Sequence, residues 1–303
     1  LIAALNFVGL GIDVGNAFAE APPPKDPFFM QADSQFREWW TQCLGTPPIP
    51  AGWVIPILKN LQGHPEGPRL WDNHIRGIMV KNLRFKTTTH EQCFYYKRTQ
   101  TDGLILILRQ VDDFIIAAKS MQTCQAIRKE IQGHMANPLN DLGIIKRFNG
   151  VDIVQTQHYV KVHCKTYLAR ICEHHGWTNK KCANKPIPMK SDSTYQAILQ
   201  LAEGPASMKE RQQLKDSMGF SYRQAISELI FALTICRINI SVAVITLSQY
   251  SENPAKEHYQ ATKAVFVYLW HTKDNGIYYW RPEPRKDLPD IALPETTTNP
   301  SRF

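Results

Sequence analysis

The sequence predicts an α+β fold, with an antiparallel sheet backed by helices. Three observations predict it. Two short apolar runs, Leu104-Ile105-Leu106-Ile107-Leu108 and Phe114-Ile115-Ile116-Ala117-Ala118, flank Val111-Asp112-Asp113. Both are too short for ordinary helices and rich in β-branched residues, so they read as the buried arms of a hairpin. A third apolar run, loosened by Gly9 and Gly11, ends in Asp13. Helical spacings follow the hairpin: Ser120 stands as an N-cap before Cys124, Ile127, Ile131 and Met135, a helix that should lie on the back of the sheet.

Taken in order, the chain leaves Asp13 through Pro22-Pro23-Pro24, which excludes a helix interior. Residues 28–31 and 53–58 read as short strands, with a helix over 35–44 between them and a proline-bearing loop over 45–52. Residues 69–79 read as a helix with Leu70, His74 and Ile78 on one face at four-residue spacing. After the hairpin and its helix, residues 148–154 and 158–162 read as a strand pair. An amphipathic helix over 165–175 follows, with Leu168, Ile171 and Cys172 inward and Gly176 after its end.

Residues 184–204 are polar, with Pro186 and Pro188, and read as a linker. Three helical patterns come next. Tyr222, Ile226, Leu229, Ile230 and Leu233 mark the first. Ala243, Val244, Leu247 and Tyr250 mark the second. Ala261, Ala264, Val265, Tyr268 and Leu269 mark the third. Residues 276–280 read as a closing strand, and 282–303, rich in Pro and Thr, as a disordered tail.

Composition narrows the class. An excess of 35 basic over 27 acidic residues gives a net charge of +8 and favours a polyanionic partner. The seven cysteines are scattered and odd in number, which argues for reduced thiols in an intracellular setting rather than a disulfide framework. The His and Cys residues between His158 and Cys182 lack the spacing of a zinc site. No apolar run is long enough to span a bilayer. The chain starts without Met, as a piece of a longer polypeptide would.

Asp112 and Asp113 repel each other at a tight turn, which reads either as a solvated polar turn or as a cation site. If the run ending in Asp13 lies beside the hairpin, three carboxylates meet at one sheet edge. Such a set suits hard divalent cations that clamp an in-line phosphoryl displacement.

The boxes that carry these residues resemble those of reverse transcriptases from copia-type LTR retrotransposons. Asp13-Val14-Gly15-Asn16-Ala17-Phe18 is similar to their motif A, and Val111-Asp112-Asp113 to motif C, the Tyr-x-Asp-Asp box. Between them, Lys59-Asn60-Leu61-Gln62-Gly63-His64-Pro65-Glu66-Gly67-Pro68-Arg69-Leu70-Trp71 resembles the Leu-Tyr-Gly-Leu-Lys-Gln-x-Pro-Arg-x-Trp segment. Leu142-Gly143-Ile144-Ile145-Lys146-Arg147-Phe148-Asn149-Gly150-Val151-Asp152-Ile153 resembles the primer-grip stretch. Tyr222-Arg223-Gln224-Ala225-Ile226-Ser227-Glu228-Leu229-Ile230 resembles the segment that precedes RNase H.

The resemblance implies a right-hand polymerase: a palm with partial fingers over 1–155, a thumb-like segment over 156–183, and a helical connection towards RNase H over 205–281. It implies catalytic Asp13, Asp112 and Asp113, with Val14 beside them, holding two Mg²⁺, for which Mn²⁺ is a substitute. It further implies that Val14, Phe18, Gln62, Gly63, Arg69 and Gln110 meet the nucleotide, Phe18 excluding a ribose 2′-OH. Its partners would be an RNA or DNA template with primer and a dNTP. Its setting would be the cytoplasm, in a virus-like particle, within a polyprotein that also carries protease, integrase and RNase H.

Several positions depart from the family pattern. Gln110 replaces the aromatic before Val-Asp-Asp, Gln62 and His64 replace Tyr and Leu, Asn149 replaces an apolar residue, and Arg237-Ile238-Asn239-Ile240 stands for Arg-Pro-Asp-Ile. The basic fingers segment expected before motif A would lie upstream, so this chain is expected to bind template–primer weakly, with a steep salt dependence, and to extend it poorly or not at all. Two rivals stand beside the polymerase: an inactive remnant that only binds nucleic acid, and a metal-dependent nuclease using the same three aspartates.

Overall fold

The structure, a computed structural model, describes residues 1–178 and 187–292. Two compact units are formed, one from Leu1–Ile2 and Asn6–Ile145, the other from Ala3–Leu5 and the chain from Lys146 onward. Among the described residues no helix is long and apolar enough to cross a membrane.

The first unit runs β1 (Val8–Val14), α1 (Ala17–Glu20), β2 (Phe29–Gln31), α2 (Ser34–Leu44), β3 (Val54–Pro56), α3 (Gly67–Arg76), β4 (Lys86–Thr87), β5 (Phe94–Thr99), β6 (Gly103–Gln110), β7 (Asp113–Ala118), α4 (Met121–Gln132) and β8 (Leu139–Ile144). β2 and β3 pair as a separate ribbon, and the other strands form a six-stranded sheet in the order β4-β5-β6-β7-β1-β8. Every pairing in that sheet is antiparallel. β1 and β7 are central strands buried on both faces, which is why they read as continuous apolar runs rather than alternating ones. α4 lies against β1 and β7 with Cys124, Ile127 and Ile131 inward. Ser120 starts it by accepting a hydrogen bond from the Thr123 N–H at 3.1 Å.

Two elements of this unit add to the sequence reading. α3 buries Trp71 and Ile75, one position on from Leu70 and His74, which share the same four-residue spacing. The larger indole takes the inward position because it removes more apolar surface from water. The helix then continues as π-helical turns over Gly77–Asn82, which carry Ile78 and Met79 inward. β8 was not legible as a strand, since Asn140, Asp141 and Gly143 break any apolar run.

The second unit contains β9 (Arg147–Phe148), β10 (Val151–Gln155), β11 (Tyr159–His163), α5 (Lys165–His174), α6 (Ser193–Leu201), α7 (Met208–Met218), α8 (Tyr222–Ile235), α9 (Ser241–Ser248), α10 (Lys256–His271) and β12 (Gly276–Trp280). Its sheet has the order β12-β11-β10-β9. One core joins Leu168 and Cys172 of α5, Leu199 of α6, Leu229 of α8, Leu247 of α9 and Phe266 of α10.

The boundary between the two units falls at Ile145, and the described parts of segments 156–183, 184–204 and 205–281 all contribute to the core just described. The linker over 184–204 contains α6, capped by Asp192 and anchored by buried Leu199. α7 adds a fourth helix after residue 205, and its capping box, Ser207 with Glu210, was a readable start signal. Ile230, expected inward, is 42% exposed, while Ala225 and Ala232 face the core.

The strand expected over 148–154 is broken at Asn149-Gly150, where both residues have positive φ (47° and 76°) and turn β9 back on β10. An Asn-Gly pair is a strong two-residue hairpin signal. The tail expected to be disordered from Pro282 begins as attached chain: Leu288 is buried, and the Gln157 N–H donates to the Pro289 carbonyl at 3.0 Å. Residues 179–186 and 293–303, which include Cys182, the start of the linker and the end of the tail, lie outside the described residues.

Candidate active site

The β1–β7 ladder places Asp13 directly across from Asp113. The Val14 N–H donates to the Asp112 carbonyl at 3.0 Å, extending that ladder by one bond into the turn. All three aspartates therefore come to one end of the central strand pair. Directly opposed residues of an antiparallel pair project to the same face, and like charges so placed repel. The effect is visible on Asp113: burial, then the charges of Asp112 and Asp13, push its carboxyl above the usual carboxylate range.

The turn is held from two sides. Val111 adopts φ +54°, a left-handed conformation that is costly for a β-branched residue. Its carbonyl accepts the Trp71 indole N–H at 2.8 Å and an Arg109 guanidinium N–H at 3.5 Å. Arg109 is only 4% exposed; it forms an ion pair with Asp72 of α3 and donates to the Cys93 Sγ at 3.2 Å. On the other flank, Asn140 of β8 donates to Asp13 Oδ2 at 2.8 Å.

The remaining expected residues are placed as follows. Val14 is buried at the end of β1 and takes part through its backbone. Gln110 is exposed at the end of β6 and pairs in register with Asp113. Phe18 lies in α1, half-buried, against the start of α3; a Cβ added at Gly67 would lie 3.5 Å from the Phe18 ring and 3.1 Å from the Leu61 carbonyl, so glycine permits this close approach. Gln62 and Gly63 are exposed in the turn before α3, where Gly63 has φ +92°. Arg69 is exposed on α3 and is ion-paired with Glu66 rather than with an aspartate.

Among the described residues, no three His, Cys, Asp or Glu side chains are drawn together as a ready-made metal cage. The aspartates nevertheless fit a hard divalent cation in kind, since all their donors are carboxylate oxygens and their mutual repulsion, seen on Asp113, is what a cation relieves. Trp71, Arg109 and Asn140 carry contacts that the sequence does not announce. Trp71 lies within the Lys59–Trp71 box, where nothing indicates its bond to the turn. Arg109, a charge at the end of an apolar run, hinted at a buried partner. Nothing near Asn140 pointed to Asp13.

Residues 49–190 match the family of reverse transcriptases (RNA-dependent DNA polymerases). The chain is 25% identical to the Retrovirus-related Pol polyprotein from transposon TNT 1-94 of Nicotiana tabacum, over 76% of this chain and 17% of that polyprotein. It is 24% identical to the transposon Ty5-1 protein of Saccharomyces cerevisiae, over 75% of this chain and 68% of that protein. It is 21% identical to the Retrovirus-related Pol polyprotein from transposon RE1 of Arabidopsis thaliana, over 88% of this chain and 16% of that polyprotein. The chain thus spans about a sixth of the length of the plant polyproteins it matches. No solved structure gives a significant match. The chain is thus similar to reverse transcriptases over residues 49–190 and to retrotransposon Pol polyproteins over about three quarters of its length.

Proposed function

We propose that this chain is the palm-bearing part of an RNA-directed DNA polymerase that transfers nucleotides from dNTP to a primer 3′-OH. The observation that carries the reading is the pairing of Asp13 with Asp113 across β1–β7, with Asp112 adjoining both. Asp13, Asp112 and Asp113 would hold two Mg²⁺, which when bound favour ionisation of the 3′-OH and neutralise the departing pyrophosphate. The protein's own contribution is positioning and fixed electrostatics rather than covalent catalysis.

Each residue then has a stated task. Asp13 and Asp113 present facing carboxylates from two rigid central strands. The turn at Val111 projects Asp112 from the sheet end. Gln110, exposed beside Asp113, lies where a primer terminus would approach. Phe18 forms the wall that a 2′-OH would strike. Arg69 would exchange Glu66 for a triphosphate, for which a planar guanidinium is well suited. The second unit would serve as thumb and connection, gripping a template–primer duplex. In the intact polyprotein, protease, integrase and RNase H would accompany it.

The test is primer extension on an RNA template with Mg²⁺ and dNTPs. Low but measurable incorporation is expected, abolished in Asp112→Asn. Incorporation that survives Asp112→Asn would refute the assignment, and shortening of the strands without nucleotides would replace it with a nuclease.

A further inference from the structure

We propose that Asn140 is a positioning residue for Asp13, delivered to it by a bulge in β8; this rests on the polymerase reading of the three aspartates. The register carries the argument. At one end of the β1–β8 ladder Leu10 faces Ile144 and Gly11 faces Gly143. Continued without a break, the same ladder would set Ile12 against Leu142 and Asp13 against Asp141. Instead the register shifts between Gly11 and Ile12, so that Ile12 faces Asp141 and Asp13 faces Asn140. Leu142 is the extra residue on the bulged strand.

The local sequence is built for that shift. Gly143 has φ +67°, a conformation that suits glycine at a bulge. Gly11, opposite it, lets the strands close up: an added Cβ would lie 2.5 Å from Ile145 Cδ1, so the end of that side chain would have to move. The displaced carboxylate is tied down elsewhere. Asp141 accepts the Gly143 N–H at 2.9 Å and the Gln125 amide at 2.8 Å, and Arg128 lies 3.4 Å from it.

The consequence is chemical. Without the bulge a fourth carboxylate would stand beside Asp13, adding charge to a cluster that already repels itself. With it, Asp13 has a neutral amide whose Nδ2 donates to Oδ2 at 2.8 Å. That bond fixes one carboxylate oxygen and leaves the other free for a cation. Outer partners of this kind orient metal ligands, and losing one typically costs about 10- to 100-fold in metal affinity or activity.

The experiment measures Mn²⁺ binding to the full chain by the loss of the free-ion electron paramagnetic resonance signal. It compares the parent with Asn140→Ala, Asn140→Gln and Asp13→Asn, alongside thermal melting and the Mg²⁺ dependence of primer extension. Asn140→Ala is expected to weaken Mn²⁺ binding about tenfold, the low end of that range, and to raise the Mg²⁺ needed for half-maximal extension correspondingly. Its melting temperature should match the parent's, because Asn140 is exposed. Asn140→Gln, which keeps the amide donor, should recover part of the affinity. If Asp13→Asn abolishes binding while Asn140→Ala binds as the parent does, the positioning role is wrong and the site stands. If the parent and Asp13→Asn bind alike, the aspartate site itself fails and this proposal with it. If Asn140→Ala unfolds, Asn140→Gln decides: a folded variant with neither parental nor partly recovered binding overturns the proposal.

Discussion

Trp71 donates its indole N–H to the carbonyl of Val111 at 2.8 Å, across forty residues of sequence. The bond joins the buried face of α3 to the left-handed residue that precedes Asp112 and Asp113. Backbone strain at a functional turn persists only where its surroundings over-determine it, and here Trp71 and Arg109 supply that support. Trp71→Phe would leave the carbonyl short of one donor and open space in a buried site. It should cost about 1–3 kcal/mol in urea denaturation, with extension falling further than the loss of folded protein explains. Unchanged stability would show that the turn does not depend on the indole.

Val111 gives the converse prediction. A left-handed L-residue costs about 1–2 kcal/mol, of which glycine's greater unfolded-state entropy offsets about 0.5–1 kcal/mol. Val111→Gly should therefore be neutral to stabilising by about 1 kcal/mol. A clear drop in the denaturation midpoint would mean that the valine side chain packs more favourably than its 39% exposure suggests.

Asp113 predicts a pH dependence with a definite sign. Its carboxyl is raised above the ordinary value of 3.8 by burial, Asp112 and Asp13. The group therefore favours the folded state most when protonated, and that contribution is lost as pH rises through the raised folded pKa. Asp113→Asn should melt higher than the parent at pH 7, and the difference should vanish below the unfolded value of 3.8. Thermal melts across this pH range check it. A variant that melts lower at neutral pH would show that the carboxylate stabilises the fold instead.

Asn149 stands where the resemblance implies an apolar residue, and it has φ +47° in the β9–β10 turn. Asn tolerates that conformation better than most residues. Asn149→Leu should destabilise by about 1 kcal/mol, measured by chemical denaturation. A stabilised variant would mean that the hairpin can be replaced by a continuous strand.

These cases show what the sequence makes legible. The Asp112-Asp113 hairpin is legible because two apolar runs bracket charges that a buried strand does not tolerate unpaired. Asp13 could be read because its run ends in a carboxylate of the right spacing. The phase of α3 could not, since Leu70-His74 and Trp71-Ile75 share one period. β8 is hidden because Asn140, Asp141 and Gly143 break its apolar run, and the Asn140 contact to Asp13 is hidden with it. The break at Asn149-Gly150 is masked by the apolar residues on either side, which suggest one strand. α6 is masked because Pro186, Pro188 and the polar residues around them dominate the composition before its Asp192 cap.

The central claim is that Asp13, Asp112 and Asp113 hold divalent cations at the open end of β1 and β7. Anomalous diffraction at the manganese edge, from crystals of the chain grown with Mn²⁺ and a template–primer, tests it most directly. The account predicts anomalous peaks among these three carboxylates, lost in Asp112→Asn. Manganese bound elsewhere, with the three aspartates left unliganded, would contradict it.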